Sequence, residues 1–73
     1  MLLQHIKLVN SITFNGTTYV YIDALKHQLK LELKDNNIMI SNSNGIMLYT
    51  PLANIVSFTA FEATLDKRRK TSE

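Results

Sequence analysis

Apolar and polar positions alternate along most of the chain, and the alternation stops at short turn-forming clusters. Leu2, Ile6 and Leu8 fall on one side of the opening segment, with Gln4 as the exception, and Leu3, His5 and Lys7 on the other. In "SITFNGTTYVYID" two β-forming runs flank Asn15-Gly16. Asn-Gly is the strongest short hairpin signal, because a type I′ turn needs positive φ at both central residues. A two-residue turn there pairs Phe14 with Thr17 and Ile12 with Tyr19. Ile12, Phe14, Tyr19 and Tyr21 then share one face, and Val20 and Ile22 share the other with Thr13 and Thr18.

The cleanest alternation is "LKLELKDNNIMI": Leu29, Leu31 and Leu33 point one way, Lys30, Glu32 and Lys34 the other. With Asp35-Asn36 as the turn, Leu33 faces Ile38 and Leu31 faces Ile40, so all the apolar side chains of that register land on one face. Lys34 then sits opposite Asn37, and Glu32 opposite Met39. The polar run Asn42–Gly45 suits a four-residue loop, with Ser41 facing Ile46 and Ile40 facing Met47. Pro51 fixes φ and suits the start of a helical turn. We expect one 3₁₀ turn over Pro51–Asn54 and a last strand from Ile55 to about Phe61, in which Ile55, Ser57, Thr59 and Phe61 alternate with Val56, Phe58 and Ala60. Asp23 either caps a single helical turn over Ala24–His27 or marks a bend in a continuing strand.

The elements add up to an all-β domain over 1–62, a small antiparallel meander or barrel of five to six strands with one 3₁₀ turn. A flexible, basic, disordered tail over 63–73 follows it. "YTPLANIVSF", a Pro-led turn running straight into an apolar strand, resembles the ending of SH3-like small barrels. Pro51, Asn54 and Val56 are the matching types of residue, and Ile55 stands where SH3 domains place Tyr. The resemblance covers about ten residues. The family's "A-L-Y-D-Y" stretch is absent and the chain has no Trp, so the resemblance implies a topology and not Pro-rich peptide binding.

Size changes the picture next. A chain of 73 residues holds one core, and so small a core gains from disulfides, metals or self-association. There is no cysteine, and neither His5 nor His27 has a second ligand at metal spacing, so we expect no metal and no cofactor. Hydrophobic residues make up 45 %, more than one inner barrel face can hold. Met1, Met39, Met47, Val20, Ile22, Val56 and Phe58 are the surplus, and a homo-oligomer would cover them. The opening "MLLQHIKLV" lacks the marks of a signal peptide, and no apolar run nears the roughly 20 residues a membrane span needs. The expectation is a cytoplasmic protein with no membrane role, in the host-cell cytoplasm if viral.

Charge is divided unevenly. Residues 1–66 carry Lys7, Lys26, Lys30 and Lys34 against Asp23, Glu32, Asp35, Glu62 and Asp66, four minus five or −1. Residues 67–73 carry Lys67, Arg68, Arg69 and Lys70 against Glu73, or +3. The basic character therefore belongs to the tail. No nucleophile motif or phosphate loop is present, which points away from an enzyme. The candidate nucleic-acid-binding residues are Lys67, Arg68, Arg69 and Lys70 as an electrostatic arm, with Lys26, Lys30, Tyr19 and Tyr21 as a surface. In its small size, lack of cysteine and charged tail the chain also resembles tailed-phage accessory proteins. The leading expectation is a non-enzymatic, self-associating accessory protein that contacts nucleic acid, single-stranded DNA or RNA included. Oligomerisation would multiply the tail. The alternative is a regulator or inhibitor that binds a larger host or viral enzyme through an exposed apolar β face.

Overall fold

A computed structural model describes residues 1–61. The basic tail, with Lys67, Arg68, Arg69 and Lys70, lies outside the described residues. The fold is all-β: six antiparallel strands with one helical turn and one 3₁₀ turn. In chain order these are β1 (Leu2–Phe14), β2 (Thr17–Asp23), α1 (Ala24–His27), β3 (Lys30–Lys34), β4 (Asn37–Ser41), β5 (Met47–Pro51), the 3₁₀ turn (Leu52–Asn54) and β6 (Ile55–Ala60). The strand order is β2-β1-β3-β4-β5, with β6 also paired to β1. The sheet curls around its core without closing, so a closed barrel is not reached.

Two of the three expected hairpins hold in register. Asn15 and Gly16 both have positive φ, 49° and 85°, and Phe14 pairs with Thr17 and Ile12 with Tyr19. Leu33 pairs with Ile38, Leu31 with Ile40, Lys34 with Asn37 and Glu32 with Met39. The third hairpin is shifted by one residue: Ser41 faces Met47 and Ile40 faces Leu48. The cause is the Asn42 side chain, whose Oδ1 accepts from the Asn44 and Ile46 amides at 3.0 and 3.1 Å. Ile46 is drawn into the turn, and the loop is five residues long.

The core is built from Leu3, Ile6, Leu8, Phe14, Ile22, Leu31, Ile38 and Ile40, all buried. Leu3, not Leu2, points inward, which corrects the alternation expected for the first segment. Against β6, Leu3 pairs with Ala60 and His5 with Thr59, so Gln4 is an extra residue, and the bulge reverses the side-chain parity. A second bulge puts Ile55 opposite Leu8 and Ser57 opposite Lys7, leaving Val56 unpaired and exposed.

A third irregularity bends β1. Between Lys7↔Tyr21 and Ile12↔Tyr19, β1 supplies residues 8–11 where β2 supplies only Val20. Asn54 holds the excursion: its Oδ1 accepts from the Asn10 amide at 2.9 Å and its Nδ2 donates to the Asn10 carbonyl at 3.1 Å. The same Nδ2 donates to the buried Thr50 hydroxyl at 3.2 Å. The bend also alters which positions of β2 face inward. Ile22 is fully buried at one end and Tyr19 packs on the core at the other. The shared face expected of Ile12, Phe14, Tyr19 and Tyr21 therefore stops short of Tyr21, which is exposed. Val20 and Ile22 likewise differ, Val20 being exposed and Ile22 buried.

Pro51 precedes the 3₁₀ turn as its cap and is the last residue of β5. Of the surplus apolar side chains, Met1, Met47, Val20, Val56 and Phe58 are exposed, while Ile22 and Met39 are buried. No helix among the described residues is long and apolar enough to cross a membrane.

Candidate nucleic-acid interface

The ambiguous segment after β2 is a helical turn. The Asp23 carboxylate accepts from the Leu25 and Lys26 amides at 3.0 and 3.1 Å, satisfying two donors that a helix start leaves open. Gln28 ends the turn in the left-handed region, at φ 58° and ψ 45°. That conformation closes Leu29 N–H onto the Ala24 carbonyl at 3.0 Å and sends the chain into β3.

The turn brings His27 back over β2. The Asp23 amide donates to His27 Nδ1 at 3.0 Å, and the imidazole stands edge-on to Tyr19, with centroids 5.3 Å apart and planes at 75°. On the other side, the β1–β2 register places His5 opposite Asp23 and Lys7 opposite Tyr21. The His5 and Tyr21 rings lie 5.8 Å apart at 36°. Two tyrosine–histidine pairs therefore flank one carboxylate. The Lys26 amide holds the Asp23 carboxyl below its ordinary range; the Leu25 amide acts in the same direction, and desolvation opposes them.

Beside Tyr19 and His27 lies an open cavity of about 210 Å³ between the β1–β2 turn, the end of α1 and the β4–β5 loop. Asn15, Gln28, Asn44 and Ser43 line it together with the two rings. A second cavity, of about 470 Å³, shares Gln28, Leu29, Asn42 and Ser43 with the first and is also lined by Lys30 and Leu25. The two form one shallow groove past the end of the β3–β4 ladder, where Lys30↔Ser41 is the last pair.

The surface candidates from the sequence are placed as follows. Tyr19 lines the cavity, half-buried. Tyr21 is exposed and covers His5. Lys26 is exposed on α1, and Lys30 stands on the groove with its ammonium 3.8 Å from Glu32. An exposed pair of that length restrains Lys30 only slightly. Residues that the sequence reading left aside join them: Lys7, His5 and His27, with Asn15, Gln28 and Asn44. In the sequence the two histidines stand out only as potential metal ligands, without a partner at metal spacing. Asp23 followed four residues later by His27 was the available signal, since a cap and a residue one turn on come together in space. Among the described residues no three His, Cys, Asp or Glu side chains are grouped to hold a metal ion.

The arrangement can stack planar groups on exposed rings, hydrogen-bond them through neutral amides and attract anions with Lys7, Lys26 and Lys30. The chain matches no protein-family model, no curated protein and no solved structure.

Proposed function

We propose that this chain is a non-enzymatic binding protein for single-stranded nucleic acid, acting as a small accessory factor of the viral kind. One observation carries the reading: two tyrosine–histidine ring pairs flank Asp23, and the Tyr19–His27 pair opens on an amide-lined groove with Lys30 along it. Unstacked bases bind by lying on such rings, at about 1–3 kcal/mol per base, and basic side chains beside them follow the backbone. Residues 1–61 carry Lys7, Lys26, Lys30 and Lys34 against Asp23, Glu32 and Asp35, four minus three or +1. So small a charge makes Lys67, Arg68, Arg69 and Lys70 the main source of electrostatic attraction.

The test is oligonucleotide binding by fluorescence anisotropy at two salt concentrations. It compares the full chain, a chain ending at Asp66 and Tyr21→Ala. Single strands bind better than duplex. Truncation flattens the salt dependence by a slope of about 3, four phosphates at roughly 0.7 each. Tyr21→Ala weakens binding roughly tenfold, within the range for one stacked base. Absence of binding by the full chain at low salt refutes the reading.

A second reading, self-association or capture of a host or viral protein, has its own support. No charged residue and no histidine occurs from Asn36 through Phe61. That stretch contains β5 and β6, each paired on one side only among the described residues. Edge strands are ordinarily protected by charge, and these carry exposed Met47, Tyr49, Val56 and Phe58 instead. A second copy pairing along β6 would extend β1–β6 into a continuous sheet. Light scattering on the full chain should then give a dimer that Thr59→Lys converts to monomer. A monomeric wild type at high concentration rules out the homo-oligomer and leaves only a different protein as the partner of that edge.

A further inference from the structure

We infer that the cavity beside Tyr19 and His27 is a pocket for one nucleobase, with the attached phosphate directed toward Lys30; the inference rests on the single-strand reading and specifies where a base is held. The first argument is the protonation of His27. A backbone amide can only donate, so the Asp23 N–H at 3.0 Å requires a bare Nδ1. The neutral imidazole therefore carries its proton on Nε2. Tyr19 packs on the ring and fixes its orientation, which makes the Nε2–H a positioned donor.

The second argument is the chemistry of the lining. The first cavity contains no lysine, arginine, aspartate or glutamate. It offers the rings of Tyr19 and His27, with the largely buried Phe14 beside them, and among its side-chain amides those of Asn15, Gln28 and Asn44, each of which both donates and accepts. A ligand matched to it is planar, neutral and hydrogen-bonding along its edge, which describes a base and excludes a phosphate. The adjoining cavity reverses this balance, because Lys30 lines it. A base in the first and its phosphate over the second matches the order of charge along a nucleotide.

The third argument is Gln28. Its φ of 58° lies in the left-handed region, where a residue with a Cβ is strained and glycine or asparagine is usual. A long side chain kept in that conformation lines both cavities. Strain of this kind collects where a side chain is needed for binding. Gln28→Gly should therefore raise the Tm and weaken the ligand together, a combination that a purely structural role does not give.

The experiment is an NMR titration of the full chain with the four ribonucleoside 5′-monophosphates, and with ribose 5-phosphate as the probe that lacks a base. The expected result is saturable shifts at Tyr19, His27 and Gln28 with at least one nucleotide and none there with ribose 5-phosphate. Gln28→Gly should lower that affinity roughly tenfold, the scale of one amide–base contact. Equal shifts with ribose 5-phosphate, shifts located elsewhere, no shifts at all, or unchanged affinity in Gln28→Gly each overturn the pocket. Oligonucleotide binding that persists with a silent cavity removes the pocket and leaves the single-strand reading in place. Nucleotide shifts at the cavity without oligonucleotide binding do the reverse.

Discussion

Asn54 ties the 3₁₀ turn to the excursion in β1, and its removal should be costly for a chain this small. Asn54→Ala deletes three hydrogen bonds, two to the Asn10 backbone and one to the Thr50 hydroxyl. Asn10 is exposed, so water replaces the first two, and each contributes toward the low end of the net range, about 0.5 kcal/mol. Thr50 is only 3 % exposed, and leaving its hydroxyl without a partner costs about 1–3 kcal/mol. The sum is about 2–4 kcal/mol. A domain this size has a total stability on the order of 3–9 kcal/mol. The Tm should fall by roughly 10–30 °C, at about 4–8 °C per kcal/mol. Urea denaturation should show a lower midpoint with an unchanged slope, because the surface exposed on unfolding is the same. Asn54→Asp keeps the acceptor for the Asn10 amide but sets a carboxylate oxygen against the Asn10 carbonyl, so it should stabilise no better than alanine. A Tm loss below about 3 °C in Asn54→Ala would refute the view that this side chain holds the bend.

Three further outcomes follow from the same structure. Ile40 is fully buried in β4, and Ile40→Ala should cost about 2–5 kcal/mol, enough to remove most of the cooperative thermal transition seen by circular dichroism. Gly16 has φ 85° with nothing within 4 Å of an added Cβ, so Gly16→Ala should cost about 1–2 kcal/mol from backbone conformation alone, read as a lower urea midpoint. Asp23→Ala should lower the Tm at neutral pH by removing the cap. The folded-state pKa of Asp23 is depressed, so its contribution is present above the unfolded value and is lost as pH falls through the folded one. The Tm difference between wild type and Asp23→Ala should therefore close on acidification; a gap that stays constant to low pH would show that the charge is not what stabilises the turn.

Hairpins with strict alternation and a turn of defined chemistry were legible in the sequence, and the irregular positions were not. The Leu31↔Ile40 and Phe14↔Thr17 registers follow from period-two patterning and from Asp35-Asn36 and Asn15-Gly16. The β4–β5 hairpin was misplaced by one residue because composition places Asn42–Gly45 in the loop but does not reveal that Asn42 Oδ1 reaches as far as Ile46. In β1 the parity around Gln4 depends on its partner β6, more than fifty residues away in the chain, and no local pattern encodes that. The candidate site divides in the same way. Tyr19, Lys26 and Lys30 are suggested by residue type, whereas the association of His5 and His27 with Asp23 requires the strand register and the helical turn together.

The irregularities that obscured the pattern are also what shape the proposed interface. Were β1 and β2 paired without the excursion at residues 8–11, alternation would carry the inward face unbroken from Ile22 along β2, with Tyr19 and Tyr21 on the opposite side. The excursion instead lets Tyr19 pack inward against the core and His27, while Tyr21 stays exposed above His5. One ring then serves a recessed cavity and the other an open surface, on either side of Asp23. Because Asn54 anchors the excursion at Asn10, a substitution far from both rings should disturb their relative placement. At a temperature where Asn54→Ala is still folded, it should therefore weaken oligonucleotide binding as well as stability. Unchanged affinity in the folded variant would show that the two ring pairs do not need the bend in β1.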